Sequence, residues 1–195
     1  MAHSHPQSQN RLCLPRGPVS RLLHRWNLQG LGLEGRVLEL GSGSGDNLRA
    51  LGLKVPSVGV GIESSPGLVA RARDRGVETY TPDEFWTTSG HAIEKRFDAL
   101  LTVRLAEHMQ WGNFVKLLVR YAPLVHPGGK LVMIAPQEKG FLKDPAHVEF
   151  MDFAKLERAA AVAGFKVSEK DSYPFPRNWG ISASFNDFVV TAIRK

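Results

Sequence analysis

Val37-Leu38-Glu39-Leu40-Gly41-Ser42-Gly43-Ser44-Gly45-Asp46-Asn47 is the stretch that decides the fold. Its first residues are an apolar run of strand-forming type, and Asp46 opens a helical pattern. Three glycines at alternate positions let the chain turn tightly between the two and let a ligand approach the backbone. Amides at the start of the following helix face that ligand. In a dinucleotide loop the glycines stand as G-x-G-x-x-G. Here the third glycine is Gly45, and Asp46 stands where that loop has glycine. A carboxylate there disfavours a pyrophosphate and is compatible with a ligand that carries an ammonium group. Glu39 lies within the strand, where a buried charge is costly without a partner.

Outward from this loop the chain alternates strand and helix. The patterns predict strands over 36–40, 57–63, 77–80, 97–103, 130–135, 165–170 and 185–193. Helices are expected over 46–51, 65–75, 111–124 and 153–163, with Pro66 in a first turn and Gly76 and Gly164 past helix ends. Alternation of this kind implies parallel pairing with right-handed crossovers. The last two strands have no helix between them and should pair antiparallel. The expected sheet is mostly parallel, of about seven strands, with one reversed edge strand.

Before the first strand, Val19–Trp26 places Leu22, Leu23 and Trp26 at helical spacing, so 11–35 reads as an N-terminal cap on a single domain spanning 1–195. Residues 1–10 are polar and read as a disordered leader rather than a His3/His5 metal site. Apolar runs of about five to seven residues are too short for a membrane span. Cys13 is the only cysteine, which excludes an internal disulfide and fits the cytoplasm. The formal net charge is +6, but Arg71, Arg73 and Arg75 sit at i, i+2 and i+4 without interleaved aromatics. A solvated basic face fits that pattern better than a nucleic-acid groove.

Glu63 closes the second strand, 18 residues after Gly45, where a carboxylate can accept from both hydroxyls of a ribose. Its alternative role is as a negative charge at the start of the helix after Ser64. Asp83, beyond the third strand, is a candidate for an adenine amino group, and equally reads as a loop or N-cap residue.

These elements resemble the class I S-adenosylmethionine (SAM)-dependent methyltransferases over residues 35–195. The resemblance rests on VLELGSGSG (37–45), VGIESS (60–65), FDALLTVRLAEHM (97–109), LVHPGGKLVMIAP (124–136) and HVEFMDFAKLERAAAVAGFKV (147–167). It implies a three-layer, Rossmann-like α/β sandwich with strand order 3-2-1-4-5-7-6. It implies SAM across the C-terminal ends of strands 1, 2 and 4, with S-adenosylhomocysteine as product. The cofactor contacts carried over are Glu39, Gly41, Ser42, Gly43, Gly45 and Asn47 on the loop, Glu63, Ser64 and Asp83 beyond it, and Val103 and Arg104 after strand 4.

Glu107 and His108 follow strand 4, and His147 follows strand 5. This resembles a metal-dependent subset of the family with E-x-x-E-H after strand 4 and a distant histidine. The resemblance implies a divalent cation, Mg2+ in the first instance, on Glu107, His108 and His147. Arg104 occupies the first glutamate position of that pattern, removing one ligand and adding a positive charge. Glu138, Asp144 or Glu149 could complete an oxygen-rich set. The other readings are a metal-free general base at His108 or His147, or a purely structural helix start and turn.

The aromatic-amide motif of many amino-methylating relatives is replaced by Val103-Arg104-Leu105, which favours oxygen. The expected activity is O-methylation of a small hydroxylated molecule, a sugar or short glycoside first and a polyphenol, quinone or polyketide second. RNA 2′-O-methylation and a non-catalytic SAM-binding subunit are the alternatives, and the glycine spacing disfavours a nicotinamide dehydrogenase. A homodimer is the candidate assembly; membrane and nucleic-acid partners are not expected. Tyr173–Trp179 is either a lid over the acceptor or a packed loop.

Overall fold

The structure, a computed structural model, describes residues 18–51, 59–87 and 97–195, with side chains from Leu22 onward in the first segment. The leader, His3, His5, Cys13, the 11–17 part of the cap and the 57–58 start of the second strand lie outside the described residues.

Seven strands form one sheet: β1 (Val37–Leu40), β2 (Gly59–Ile62), β3 (Glu78–Tyr80), β4 (Phe97–Val103), β5 (Val125–Pro136), β6 (Phe165–Tyr173) and β7 (Asp187–Arg194). Their order is β3-β2-β1-β4-β5-β7-β6, as expected. The pairs among β1 to β5 are parallel. The reversal sits at one side of the sheet: β7 is antiparallel to both β5 and β6, and β6 forms the rim.

Period-two alternation sends each strand's side chains to two cores. Leu38, Leu40, Leu100, Leu131 and Met133 enter one. Val37, Ala99, Leu101, Val132 and Ile134 enter the other. A sheet buried on both faces needs such near-continuous apolar strands. The first core is closed by Phe85 of α4 (Pro82–Thr87), Phe114 and Leu118 of α5 (Trp111–Tyr121) and Leu156 of α7 (Phe153–Val162). The second is closed by Leu28 of α1 (Pro18–Gly30), Leu48 of α2 (Asp46–Ala50) and Ala72 of α3 (Pro66–Asp74).

Several boundaries differ from the sequence expectation. β5 starts at Val125, because Val125 pairs with Phe97 and the Pro127-Gly128-Gly129 triplet is carried as an irregularity inside the strand. A Cβ on Gly129 would lie 2.5 Å from the Val125 side chain and 2.8 Å from the Asp98 carbonyl oxygen, so glycine lets the kink close. The helix expected over 111–124 ends at Tyr121 and tightens into a 3-10 turn over Ala122–Leu124.

Two short helices were not anticipated, α4 and α6 (Glu138–Phe141), since neither spans enough residues to show a period. The first nevertheless has a local signature. Thr81 Oγ1 accepts from the Glu84 amide at 3.2 Å, and a Glu84 carboxylate oxygen accepts from the Thr81 amide at 2.8 Å. That is a reciprocal capping box, legible as Thr81-Pro82-Asp83-Glu84.

Candidate cofactor and acceptor site

At the C-terminal end of β1 the chain turns over β2. The Gly41 and Ser42 amides both donate to the Ile62 carbonyl, at 2.8 and 3.1 Å. Gly41, Gly43 and Gly45 have φ of 72°, 55° and 76°, left-handed conformations that L side chains rarely adopt. Space is equally restrictive. A Cβ on Gly41 would fall 2.8 Å from Leu105 Cδ1, and one on Gly45 would fall 2.8 Å from Val77 Cγ2. Gly61 on β2 belongs to the same device, because a Cβ there would lie 2.3 Å from Ser42 Oγ.

Glu63 is buried and braces this loop. One carboxylate oxygen accepts from the Gly43 amide at 3.0 Å, and the other accepts from the Ser65 amide at 2.9 Å and the Ser64 hydroxyl at 3.4 Å. Ser64 itself is exposed. Asp46 is occupied elsewhere, 2.8 Å from Arg75 and accepting from Ser44 Oγ at 2.7 Å. Its carboxylate is therefore already paired within the protein. Arg73 is likewise paired, with Glu84 at 2.9 Å, so two of the three arginines around α3 are neutralised. Asp83 lies exposed in the first turn of α4 rather than in a loop.

Glu39 is fully buried beneath the loop. Its Oε1 accepts from Asn47 Nδ2 at 2.7 Å, while its Oε2 has no protein partner. Burial pushes its carboxyl up to about 8, with Asn47 pulling the other way. Asn47 Oδ1 in turn lies 2.9 Å from Nε2 of His24, a buried histidine of α1 that the sequence reading did not single out. Only its position on the inner side of a short amphipathic helix could have drawn notice.

Val103 ends β4 and is buried, and Arg104 follows in a left-handed conformation with φ 50°. The Arg104 amide donates to the Ile134 carbonyl at 2.8 Å. Its guanidinium meets Asp187 of β7 at 2.7 Å. Arg104 thus turns toward β7, in an ion pair.

The three acceptor-side candidates converge. Glu107, His108 and His147 each offer a ligand atom, all within 4.8 Å of one another. The Val148 and Glu149 amides donate to the Glu107 carbonyl at 2.7 and 3.2 Å, which joins the segment bearing His147 to the one bearing Glu107. The imidazoles have their Nδ1 atoms engaged with main-chain carbonyls, His147 with Phe141 at 2.7 Å and His108 with Ala146 at 3.3 Å. A carbonyl only accepts, so each Nδ1 donates and each Nε2 is left as the ligating or basic atom. His147 Nε2 and both carboxylate oxygens of Glu107 are buried without a protein partner. Burial pushes Glu107 up to about 8 and holds His108 below the ordinary histidine range. An orphaned buried carboxylate and an orphaned imidazole nitrogen in one cluster fit a cation.

Of the proposed extra ligands, Glu138 is paired with Arg177, and Glu149 is held by Lys155 at 2.6 Å and the Trp111 amide at 2.6 Å. The connector between β6 and β7 is packed: Asn186 and Gln137 are fully buried and bonded to each other, to Ser172 and to the Phe175 amide. Trp179 remains half-exposed within it. No helix among the described residues is long and apolar enough to cross a membrane.

The match to a family described as a methyltransferase domain spans residues 9–170. A search of curated proteins gives no match. Among solved structures, a SAM-dependent methyltransferase from Archaeoglobus fulgidus superposes with TM-score 0.65 at 16% identity, covering 90% of this chain and 93% of that one. Magnesium protoporphyrin IX methyltransferase (ChlM) from Synechocystis with bound S-adenosylhomocysteine gives TM-score 0.65 at 15% identity over 90% and 85%. The complex between the Haloferax volcanii Trm112 methyltransferase activator and its methyltransferase gives TM-score 0.64 at 18% identity over 87% and 88%. At these identities the structures speak to the fold, and the family match speaks to descent. With the sheet order and the glycine loop, they establish that the chain belongs to the class I SAM-dependent methyltransferase family.

Proposed function

We propose that this methyltransferase methylates a hydroxyl oxygen of a small molecule, with a divalent cation held by Glu107, His108 and His147. The observation that carries the proposal is that Glu107, His108 and His147 bring ligand atoms within 4.8 Å of one another, among which the Glu107 oxygens and His147 Nε2 are buried without a protein partner. Bound SAM supplies a methyl group already activated by its sulfonium. A cation at the cluster supplies positive charge that acidifies and orients an acceptor hydroxyl.

The chain's own residues then align the two partners, which is where most of the rate gain in a displacement of this kind arises. Glu63, already fixed by the Gly43 and Ser65 amides, accepts from the ribose hydroxyls. Glu39 takes the cofactor ammonium with its unpartnered oxygen. The glycine backbone at 41, 43 and 45, with Ser42, Ser64, Val103 and Arg104, would line the rest of the cradle, and Asp83 would accept from the adenine amino group. Two imidazole nitrogens and one carboxylate suit manganese, iron or zinc better than magnesium, which prefers oxygen ligands.

The same unpartnered His147 Nε2 also supports a second reading, in which it removes the acceptor proton without a cation. The experiment that separates them measures bound metal and turnover together on hydroxylated acceptors, sugars and short glycosides first, then polyphenols and quinones. Stoichiometric Mn2+, Zn2+ or Mg2+ lost in His147→Ala, with chelator-sensitive turnover, supports the cation. Full turnover in excess chelator discards it in favour of the base.

A further inference from the structure

We propose that His24 is a positioning residue for the amino-acid end of SAM, acting from α1 through Asn47 on Glu39. The inference rests on the assignment of Glu39 to the cofactor ammonium.

The hydrogen-bond directions carry it. Glu39 Oε1 is an acceptor, so the Asn47 atom facing it at 2.7 Å is the amide nitrogen. The Asn47 atom facing α1 is then its carbonyl oxygen, and the His24 Nε2 at 2.9 Å must bear the proton. Every link donates toward the carboxylate: His24 to Asn47, Asn47 to Glu39. Such chains polarise cooperatively and favour the charged form of the terminal acceptor. Burial lowers the His24 pKa and so favours the neutral ring, and the Asn47 carbonyl oxygen places its proton on Nε2. The other charges near these groups are committed. Asp46 is on Arg75, Glu63 is on the Gly43 and Ser65 amides, and Arg104 and Asp187, which act on His24 with opposite sign, are on each other.

A purely structural link would not need to end in a half-satisfied carboxylate. Helix α1 already has Leu28 fully buried against the second core. The three polar side chains are 9%, 3% and 0% exposed, and the last of them leaves Oε2 without a partner, a cost that an apolar residue would avoid. A relay that orients Asn47 so that Oε1 is occupied and Oε2 remains open makes sense if Oε2 receives a cationic group. His24 lies 23 residues before Asn47 in the chain, so α1 and the cofactor's amino-acid end are energetically coupled, and the coupling is reciprocal.

The test compares two probes by calorimetry: S-adenosylhomocysteine, which has the amino-acid end, and 5′-methylthioadenosine, which lacks it. In His24→Phe the affinity for S-adenosylhomocysteine should fall about tenfold, the size of a lost hydrogen bond to a charged group's partner, while that for 5′-methylthioadenosine stays within about twofold. His24→Gln, whose amide can still donate, should recover most of the loss. His24→Asn, too short to reach Asn47, gives a second reading should the Phe variant fold poorly. Equal losses for both probes would mean a structural role for His24, and no loss for either would remove the relay; both results overturn the proposal. Glu39→Gln is the control on the underlying assignment. If it leaves the ratio of the two affinities unchanged, the assignment of Glu39 fails, whereas a changed ratio in Glu39→Gln without one in His24→Phe sinks the relay alone.

Discussion

Arg104 and Asp187 form an ion pair at 2.7 Å, with side chains 12% and 6% exposed, joining the end of β4 to the start of β7. Burial pushes the Asp187 carboxyl up, and Arg104 pulls it back. Removing one partner strands the other's charge, so Arg104→Met should lower the unfolding free energy by about 3 kcal/mol. The double variant Arg104→Met with Asp187→Asn should recover much of it, because neither group is then left charged and alone. Denaturant titration of the four proteins in this cycle measures the coupling directly. Independent, additive effects would show that the pair does not hold the two strands together.

Glu63 combines two duties, bracing the loop and, in the proposed reading, accepting from the ribose. SAM should raise the melting temperature of the wild type, and Glu63→Ala should abolish that rise. Glu63→Gln should keep part of the loop brace, since its amide oxygen can still accept from Gly43. Thermal melts with and without SAM check this.

Gly61→Ala probes the close approach of Ser42 to β2. With a Cβ 2.3 Å from Ser42 Oγ and 3.0 Å from Thr79 Oγ1, the loop must shift. Overpacking of this kind costs about 1–3 kcal/mol. The variant should therefore lose stability and SAM affinity together, whereas Gly67→Ala, in α3 with nothing within 4 Å, should lose neither.

The buried carboxylates predict an unusual pH response. Glu39 titrates at about 8 when folded against 4.5 ordinarily. The folded state therefore holds a proton that the unfolded state has released between those two values, and stability declines as pH rises through that window. Ligand-free protein should melt at progressively lower temperature from pH 5 to pH 8.5. Glu39→Gln should flatten part of that slope. SAM should stabilise the protein more at pH 8 than at pH 6, because its ammonium favours the ionised carboxylate.

Glu107 offers the clearest separation of function from stability. Its carboxylate is buried with both oxygens unpartnered. In metal-free protein Glu107→Gln should raise stability by about 1–2 kcal/mol, since a neutral amide costs less to bury. Cation binding should be lost in the same variant. A destabilised Glu107→Gln in chelator would show that the carboxylate has a structural role.

Much of this molecule could be read from its residues, and the exceptions have identifiable causes. The mostly parallel sheet followed from apolar strands alternating with helices, its strand order from the resemblance to the methyltransferase family, and the set Glu107, His108 and His147 from the resemblance to the metal-dependent subset of that family. What escaped depends on tertiary contact. Asp46 stood beside the glycine turn, and only the fold brings Arg75 from the end of α3 to neutralise it. His24 is one histidine on an amphipathic helix until the fold sets α1 against Asn47. Arg104 read as an added charge at a ligand position, and the approach of β7 makes it half of an ion pair. The capping box before α4 was legible and was passed over, because a helix of six residues has no visible period.

The main-chain bonds from Val148 and Glu149 to the Glu107 carbonyl join two separate stretches of chain without using any of the three convergent side chains. The frame thus rests first on its main chain, with the Nδ1 atoms of His108 and His147 adding bonds to the Ala146 and Phe141 carbonyls. Exchanging the side chains at 107, 108 and 147 should retool the chemistry while the backbone beneath stays in register, so this corner is the natural place to build a new catalyst on an old scaffold.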